Sequence, residues 1–330
     1  MTRYVMGLDG GSSKSHLALF DTQGNHIDFV PWGPLNHEGM DDGYEQLERE
    51  LQALFALALG RNGLTKEGLA RGVFGMSGVD TCWQEKAIRE MLVRCGAENL
   101  LVCNDAFLPI KAVSPRGYGI CAINGSGCTI AGIGADGSML QVGGCGGLTG
   151  DMGGGGYLGE TVVRAVYTQL YKCGPATLLK DMLFQRLGVI REEDFYNTVA
   201  KRMDDDPFFL SNLNRMLFEA ATLGDGVAVD LLTKAGEDNA MAIVGALRRL
   251  TFPEGEAVEV ALSGSVHVKG SDPALVDGLK RKVNQLAGGR EIRFTITDRP
   301  PVMGAVVWAL QEYLPAPEAI ARVREQLKSQ

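Results

Sequence analysis

The stretch VMGLDGGSSKSHLALFD at residues 5–21 is the most informative part of the sequence, because a similar stretch recurs later in the chain. The second copy is ICAINGSGCTIAGIGAD at residues 120–136, and Gly10 aligns with Gly125 at a constant offset of 115 residues. Each copy has the pattern of a strand, a Gly/Ser hairpin turn and a second strand. The repeat predicts two similar α/β halves whose turns face a common cleft, where a ligand with several phosphates is held from both sides.

The hydrophobic pattern predicts alternating strands and helices along both halves. The expected strands cover residues 4–9, 15–20, 26–32, 72–76, 99–104, 258–263 and 292–297. The expected helices cover residues 44–58, with Gly60 as the C-cap, 83–95, 106–113 and 273–286, with a mainly helical segment at 157–250 and a closing helix from Val302. We expect one domain at residues 1–113, completed by a C-terminal helix at 305–330, and a second at 114–304.

Length and composition limit the class of protein. The chain has 330 residues, of which 45% are hydrophobic and 22% charged, as in an ordinary globular protein of about two domains. The formal net charge of −8 and the lack of Lys/Arg runs argue against a nucleic-acid partner. A short, polar N-terminus and the lack of a long apolar stretch predict a cytoplasmic protein that does not bind a membrane.

The cysteines do not indicate a disulfide framework. Their number, seven, is odd, and no C-x-x-C motif is present. Neither structural disulfides nor a structural zinc site is therefore expected, and the ordinary interpretation is a set of buried thiols.

Two Gly/Ser turns are the first candidates for chemistry. LDGGSSK at residues 8–14 places Asp9 at a strand end before small residues whose amides can surround an anion. NGSGCT at residues 124–129 is a similar turn. Each leads into a strand and not into a helix, so neither matches the dinucleotide-binding fingerprint. A simple tight turn is the alternative for either motif taken alone.

The two turns resemble the first and second phosphate motifs of the actin/hexokinase-like ATPase superfamily. Further motifs resemble the branch that contains the N-acetylglucosamine kinases and the BadF/BadG-type ATPases, and they occur in that family's order. These motifs are LNH at 35–37, MSGVD at 76–80, NDA at 104–106, GGCGG at 143–147 with Gly150-Asp151, and LSGSV at 262–266. The resemblance covers roughly residues 5–310 and implies an α/β, two-lobed actin-like ATPase of duplicated ribonuclease H-like domains with an interlobe cleft.

The resemblance also implies ligands and the residues that hold them. ATP with Mg²⁺ would be bound, and Asp9 would position the ion through water. The implied ATP-binding residues are Gly10, Gly11, Ser12, Ser13, Lys14, Gly125, Ser126, Gly127, Cys128, Thr129, Gly264, Ser265 and Val266. The implied acceptor-binding residues are Asn36, Ser77, Gly78, Asp80, Asn104, Asp105, Ser126, Gly144, Cys145 and Asp151.

Several of these positions have a structural alternative. Gly264-Ser265 is also typical of a plain strand-to-helix turn, and Asp80 and Asp151 of loop caps. Asp105 matches the family's general base, since a carboxylate at a strand end can accept the proton of a sugar hydroxyl during phosphoryl transfer. The alternative for Asp105 is an N-cap of the following helix, a role compatible with catalysis.

The implied activity is transfer of the ATP γ-phosphate to the 6-hydroxyl of N-acetylglucosamine or a related N-acetylhexosamine. The chain departs from the family where many members carry an aromatic residue and it has Cys145, and where an acid follows the motif aspartate and it has Met152. A small polar residue of the family is also missing near Gly154. N-acetylmuramic acid and glucosamine therefore stay open as acceptors, as does a homodimer.

Two other classes share the superfamily. The first is an ATPase that activates a 2-hydroxyacyl-CoA dehydratase or benzoyl-CoA reductase, in which a dimer shares an iron-sulfur cluster. Residues 152–159, where such proteins carry a Cys, contain none here. The second is a non-catalytic sugar sensor, which usually has an N-terminal helix-turn-helix domain, whereas this chain reaches its phosphate motif by Asp9.

Overall fold

The computed structural model describes residues 2–327, so the last three residues of the predicted C-terminal helix lie outside the described part. The chain divides into two units with dense internal packing. The first unit contains Met1–Cys121, Gly132–Met139 and Thr297–Gln330. The second unit contains Ala122–Ala131 and Leu140–Ile296. The domain boundaries expected from the sequence stay a prediction.

The first sheet has five strands and combines a meander with parallel strands. In chain order the strands are β1 (Tyr4–Gly10), β2 (Ser15–Asp21), β3 (His26–Trp32), β4 (Leu69–Met76) and β5 (Leu100–Cys103). The spatial order is β3-β2-β1-β4-β5, with β1–β2 and β2–β3 antiparallel and β1–β4 and β4–β5 parallel. The predicted three-strand meander is confirmed, and the carboxyl ends of β1, β4 and β5 meet at the same edge.

The second sheet repeats this arrangement. Its strands are β6 (Gly119–Asn124), β7 (Cys128–Ile133), β8 (Met139–Gly143), β9 (Val258–Ser263) and β10 (Ile292–Ile296). The spatial order is β10-β9-β6-β7-β8, so each strand occupies the place of its counterpart in the first sheet. The internal repeat is confirmed and extends over all five strands, far beyond the two stretches that can be aligned by eye. The duplicated α/β fold class expected from the sequence is confirmed with it.

Twelve α-helices occur in the described residues. They are α1 (Gly43–Arg61), α2 (Cys82–Arg94), α3 (Leu108–Val113), α4 (Gly155–Tyr171), α5 (Leu178–Leu187), α6 (Phe195–Asp205), α7 (Phe209–Thr222), α8 (Gly226–Arg249), α9 (Ser265–Lys269), α10 (Ala274–Leu286), α11 (Pro301–Tyr313) and α12 (Pro317–Gln326). In residues 2–327, none of them is both long and apolar enough to cross a membrane. The mainly helical segment predicted for 157–250 is confirmed.

The end of α1 differs from the expectation. Gly60 was expected to be the C-cap, but the helix continues to Arg61 and Asn62 is the capping residue. Gly63 follows with φ of +61°, and the amide of Leu64 donates to the carbonyl of Leu59 at 3.0 Å. This is the Schellman pattern, which needs a residue in the left-handed conformation after the cap. The prediction was wrong because two glycines lie within three residues and only the second has the positive φ.

The expected single closing helix is two helices. α11 ends at Tyr313 and α12 begins at Pro317, because prolines at 315 and 317 remove backbone donors and disfavour the helical conformation of the preceding residue. Gln326 near the end of α12 accepts a hydrogen bond from the amide of His26 at 2.9 Å. The last helix is thereby attached to the β2–β3 turn of its own unit.

α8 and α10 pack at very short range in the second unit. A Cβ added to Gly236 on α8 would collide with the backbone of Leu275, and one added to Gly278 on α10 would lie 2.9 Å from the carbonyl oxygen of Thr233. Each helix thus contributes a glycine where the other backbone approaches. The crossing depends on these two glycines for space and not for backbone flexibility, since neither has a positive φ.

We expect Gly236→Ala to lower the free energy of unfolding by about 1–3 kcal/mol, as overpacking does when backbone atoms cannot move aside. Gly245→Ala on the same helix is the matched control, because its Cβ would meet only the end of the Arg249 side chain at 3.9 Å. That change should stabilise the helix by roughly 0.5–1 kcal/mol. Urea unfolding of both variants measures the difference, and equal effects would contradict the close crossing.

Candidate active site

Strand register brings Asp9, predicted to position the metal, and Asp105, the predicted base, to one edge of the first sheet. Asp9 on β1 is paired with Gly75 on β4, and Gly75 is paired with Cys103 on β5. The segments that follow these three strands therefore start side by side. The segment at the end of β1 carries the predicted phosphate motif at residues 10–14, and the segment after β4 carries the predicted acceptor motif at residues 77–80. The segment after β5 begins with Asn104 and Asp105.

The first Gly/Ser turn is bonded directly to the predicted acceptor segments. The Ser77 amide donates to the Gly10 carbonyl at 2.8 Å. The hydroxyls of Ser12 and Ser77 lie 2.8 Å apart, and Asn36 Nδ2 donates to Ser12 Oγ at 3.0 Å. Gly78 has φ of +79°, and a Cβ there would lie 2.6 Å from Asn36 Oδ1. A glycine is therefore required at 78 both for its backbone conformation and for the approach of Asn36.

Asn104 organises the segment after β5. Its side chain is 4% exposed, and both ends of its amide are engaged. Nδ2 donates to Asp80 Oδ1 at 3.0 Å, and Oδ1 accepts from the Ala106 amide at 2.9 Å. Asn104 is the N-cap of a 3₁₀ turn at Asp105–Phe107 that leads into α3, so the alternative in which Asp105 is the N-cap is wrong. The geometry gives Asn104, predicted to bind the acceptor, the role of holding Asp80 beside Asp105.

Asp105 has the electrostatic environment of a general base. Burial raises the pKa of its carboxyl to about 7, and the negative charges of Asp9 and Asp80 add to the increase. Hydrogen bonds from the amides of Asp105 and Ala106 lower the pKa but do not cancel these effects. The residue as a whole is half-buried. A carboxyl with a pKa near neutrality can both accept and release a proton at physiological pH.

The carboxylate of Asp9 could bind a divalent cation if a bound ligand supplied further oxygen atoms. Asp9 lies at the end of β1, with a side chain 13% exposed and 3.9 Å from His16 Nδ1. Within residues 2–327, no group of three or more His, Cys, Asp or Glu side chains could hold a metal by itself. Mg²⁺ usually takes one or two carboxylates and completes its shell with phosphate and water oxygens. Asp9 would supply such a carboxylate, and a cation there would relieve the repulsion that acts on Asp105.

The second Gly/Ser turn leads into β7 and is hydrogen-bonded to the start of helix α4. The amides of Gly155 and Gly156, in the first turn of α4, donate to the carbonyls of Gly125 and Ser126 at 2.8 and 3.1 Å. The Gly125 amide donates to the Gly127 carbonyl at 2.9 Å and is therefore occupied within the turn, although phosphate binding was expected of it. Around Gly125 and Gly127, an added Cβ would meet nothing within 4 Å. The turn is thus held by hydrogen bonds from α4 and has free space beside Gly125 and Gly127, as phosphate binding by backbone amides requires.

Asn124 is the residue on which this turn depends, and it was not among the predicted site residues. It is fully buried and donates from Nδ2 to the Gly153 carbonyl at 3.0 Å. The buried Cys128 thiol donates towards Asn124 Oδ1 at 3.5 Å and Asn239 Oδ1 at 3.2 Å. Burial raises the pKa of this thiol well above its usual range. Cys128 is therefore a neutral packing group, and only its backbone could contribute to anion binding.

The motif at 262–266 packs against the same asparagine. Gly264 has φ of +91°, and an added Cβ would lie 2.8 Å from the Asn124 backbone nitrogen. Ser265 is exposed, whereas Val266 is 4% exposed and belongs to the core of the second unit. Of the predicted adenosine-binding residues, Val266 could therefore contribute its backbone only.

The glycine-rich loop after β8 is organised by Asp151. Asp151 Oδ2 accepts hydrogen bonds from the amides of Gly144 and Gly146 and from Thr149 Oγ1, all at 2.8 Å. This arrangement matches the loop-cap alternative for Asp151 and leaves Oδ1 as the oxygen for any ligand. Cys145 lies exposed within the loop and is not part of a disulfide. The ATP-binding roles expected of Ser13, Lys14 and Thr129 stay predictions.

The duplicated five-strand sheets, the Gly/Ser turn of each unit and the carboxylates at the strand ends give the chain the actin- and hexokinase-like fold expected from its motifs. The sequence profile of the BadF/BadG/BcrA/BcrD ATPase family matches residues 6–309, and the chain belongs to this family. The resemblance expected from the motifs is thereby confirmed.

The chain is similar to two sugar kinases over most of its length. It is 26% identical to an N-acetylmuramic acid/N-acetylglucosamine kinase of Clostridium acetobutylicum, over 80% of this chain and 86% of that protein. It is 25% identical to an N-acetyl-D-glucosamine kinase of Dictyostelium discoideum, over 92% of this chain and 97% of that protein. A crystal structure of a candidate N-acetylglucosamine kinase from Chromobacterium violaceum has the same fold, with a TM-score of 0.70 and 23% sequence identity. The match covers 94% of this chain and 99% of that protein.

The raised pKa of Asp105 predicts a pH-dependent cost in stability. The folded protein holds a proton that the unfolded chain releases near pH 4, so stability falls as pH rises from about 4 through 7 and then stays level. Asp105→Asn removes this loss, and we expect it to raise the free energy of unfolding at pH 8 by about 1 kcal/mol or more after allowance for screening.

Thermal unfolding at pH 5 and pH 8, without nucleotide or Mg²⁺, measures the effect. The gain of Asp105→Asn should be larger at pH 8 than at pH 5. Asp41→Asn, a change of an exposed acid in the same unit, is the control and should show no such trend. A gain that is equal at both pH values would mean that the Asp105 carboxyl titrates in its ordinary range.

Proposed function

We propose that this protein is an ATP-dependent amino-sugar kinase that transfers the γ-phosphate of ATP to the 6-hydroxyl of N-acetylglucosamine or a related N-acetylhexosamine. The observation that carries the proposal is the carboxyl of Asp105, whose pKa is raised to about 7 at a strand edge shared with Asp9 and Asp80. Similarity to two amino-sugar kinases over at least 80% of this chain supports the choice of acceptor class.

Asp105 would accept the proton of the acceptor hydroxyl. Phosphoryl transfer needs little covalent participation by the protein, so the main tasks are to align the hydroxyl and to stabilise charge. ATP with Mg²⁺, when bound, supplies the phosphoryl group and neutralises charge on the phosphate oxygens. The turn at Gly10–Lys14 and the turn after β6 would each contribute backbone amides to the phosphates, and Asp9 would hold the ion through water.

The acceptor would be oriented by side chains that the first unit already holds in place. Asn36 is fixed by its bond to Ser12, and Asp80 by its bond from Asn104. Their polar atoms can therefore be offered to hydroxyl and acetamido groups without a large ordering cost. In the second unit, Gly144 and Cys145, which the motifs predict to bind the acceptor, lie in the loop that Asp151 shapes.

ADP release with a panel of sugars tests the proposal. N-acetylglucosamine, N-acetylmuramic acid, glucosamine, N-acetylmannosamine and glucose are compared at fixed ATP and Mg²⁺. Turnover that depends on an N-acetylated amino sugar is expected. Sugar-independent hydrolysis would favour the activating ATPase, and sugar binding without turnover would favour the sensor.

Asp105→Asn should lower kcat by roughly 100- to 10,000-fold, because it removes the base and preserves the shape. ATP binding, measured by calorimetry, should be nearly unchanged, and Asp41→Asn again serves as the control. In the unaltered protein, kcat/KM should fall about tenfold per pH unit below the pKa of Asp105, which burial raises above its ordinary value. Near-normal turnover of Asp105→Asn at saturating sugar would rule out Asp105 as the base.

Cys145→Trp should shift the ratio of kcat/KM values towards N-acetylglucosamine and against N-acetylmuramic acid. A ring at this position would restore apolar contact with the smaller sugar and fill the volume available to a lactyl group. Burial of a large side chain against a ligand is worth roughly 1.5–3 kcal/mol, or about one to two decades in preference. Ile190→Trp, at a position 93% exposed, is the control. An unchanged ratio in a folded Cys145→Trp protein would place residue 145 outside the acceptor pocket.

A further inference from the structure

Gln84 on α2 is a buried amide that joins two segments of the first unit. Its side chain is 4% exposed. Oε1 accepts hydrogen bonds from the Asp80 amide at 3.0 Å and from Thr81 Oγ1 at 2.9 Å. Nε2 donates to Glu38 Oε1 at 3.2 Å, across 46 residues of sequence. The amide therefore fixes the segment after β4 relative to the segment after β3.

Both segments continue to residues assigned to the acceptor. On one side, the Glu38 amide donates to Asn36 Oδ1 at 3.0 Å. On the other side, Asp80 accepts from Asn104, the residue that precedes Asp105. An unbroken path of hydrogen bonds and backbone thus connects the acceptor-binding amide to the base, and Gln84 lies in the middle of it.

Helix capping explains only part of this arrangement. Thr81 is the N-cap of α2 and accepts from the Gln84 amide at 3.3 Å, so Thr81-x-x-Gln84 is a form of capping box. The box accounts for the bonds that Gln84 Oε1 accepts near the helix start. It does not require the bond that Nε2 donates to Glu38 on another segment.

We propose that Gln84 is a positioning residue for phosphoryl transfer, which holds Asn36 and Asp80 in register with the base through its bridge to Glu38. The inference rests on the proposed function. Alignment of the reacting hydroxyl is the main contribution of the protein to such a reaction, and a misplacement of about 1 Å can cost roughly 100-fold in rate. The bridge should therefore affect use of the acceptor and leave the affinity for ATP unchanged.

A reciprocal exchange of the two bridging groups tests this role. Gln84→Glu keeps the bonds accepted from Asp80 and Thr81 but places a carboxylate against Glu38. Glu38→Gln together with Gln84→Glu restores a donor and an acceptor in reversed order. The full-length single variants, the double variant and Gln52→Glu, an exposed control on α1, are compared by ADP release with N-acetylglucosamine and by thermal unfolding.

For Gln84→Glu we expect kcat/KM for the sugar to fall about tenfold, because the variant loses a hydrogen bond to a charged group, and such bonds are the stronger ones. The KM for ATP should stay within about twofold of normal. The double variant should recover to within about threefold of the unaltered protein. If the double variant stays as impaired as Gln84→Glu, or if Gln84→Glu loses thermal stability while its sugar kinetics stay normal, Gln84 is a structural cap only. Absence of sugar-dependent turnover in the unaltered protein would overturn the proposed function itself and this inference with it.

Discussion

The parallel pairing of β1, β4 and β5 is the constraint on which the candidate site depends. Because parallel strands end at the same edge, this pairing forces the acids that follow the strands into one region. Burial and the charges of Asp9 and Asp80 then raise the pKa of Asp105. The repulsion costs stability at neutral pH, but it gives the protein a carboxyl that exchanges protons in the range where a kinase would need it.

The polar residues around this edge are joined to one another by hydrogen bonds from buried amides. Asn104 and Gln84 are both 4% exposed, and each uses its amide to join separate segments. A buried amide is costly unless both its donor and its acceptor are satisfied. Once satisfied, it allows little freedom to the groups that it joins. Such residues transmit the rigidity of α2 and of the turn after β5 to the residues that would contact a ligand.

The two halves of the repeat use equivalent positions for different purposes. Asp9 ends β1, and the aligned residue at the end of β6 is Asn124. Asp9 keeps some exposure and contributes a charge, whereas Asn124 is fully buried and holds Gly153, Cys128 and the turn together. One copy of the turn therefore supplies the electrostatics of its unit, and the other supplies a rigid, open cradle.

Nine of the ten strands, most of the helices, the duplication and the family could be predicted from the sequence, because these depend on local periodicity and on short ordered motifs; strand β8 was missed. It was wrong at the ends of elements, where two nearby glycines or two prolines compete and the outcome depends on single dihedral angles. The strand order beyond the first meander, the pKa of Asp105 and the contacts of Asn124 and Gln84 could be read only from the tertiary structure. Each of them arises from contacts between residues far apart in the chain, such as the 46 residues between Glu38 and Gln84, and no local pattern records such a contact.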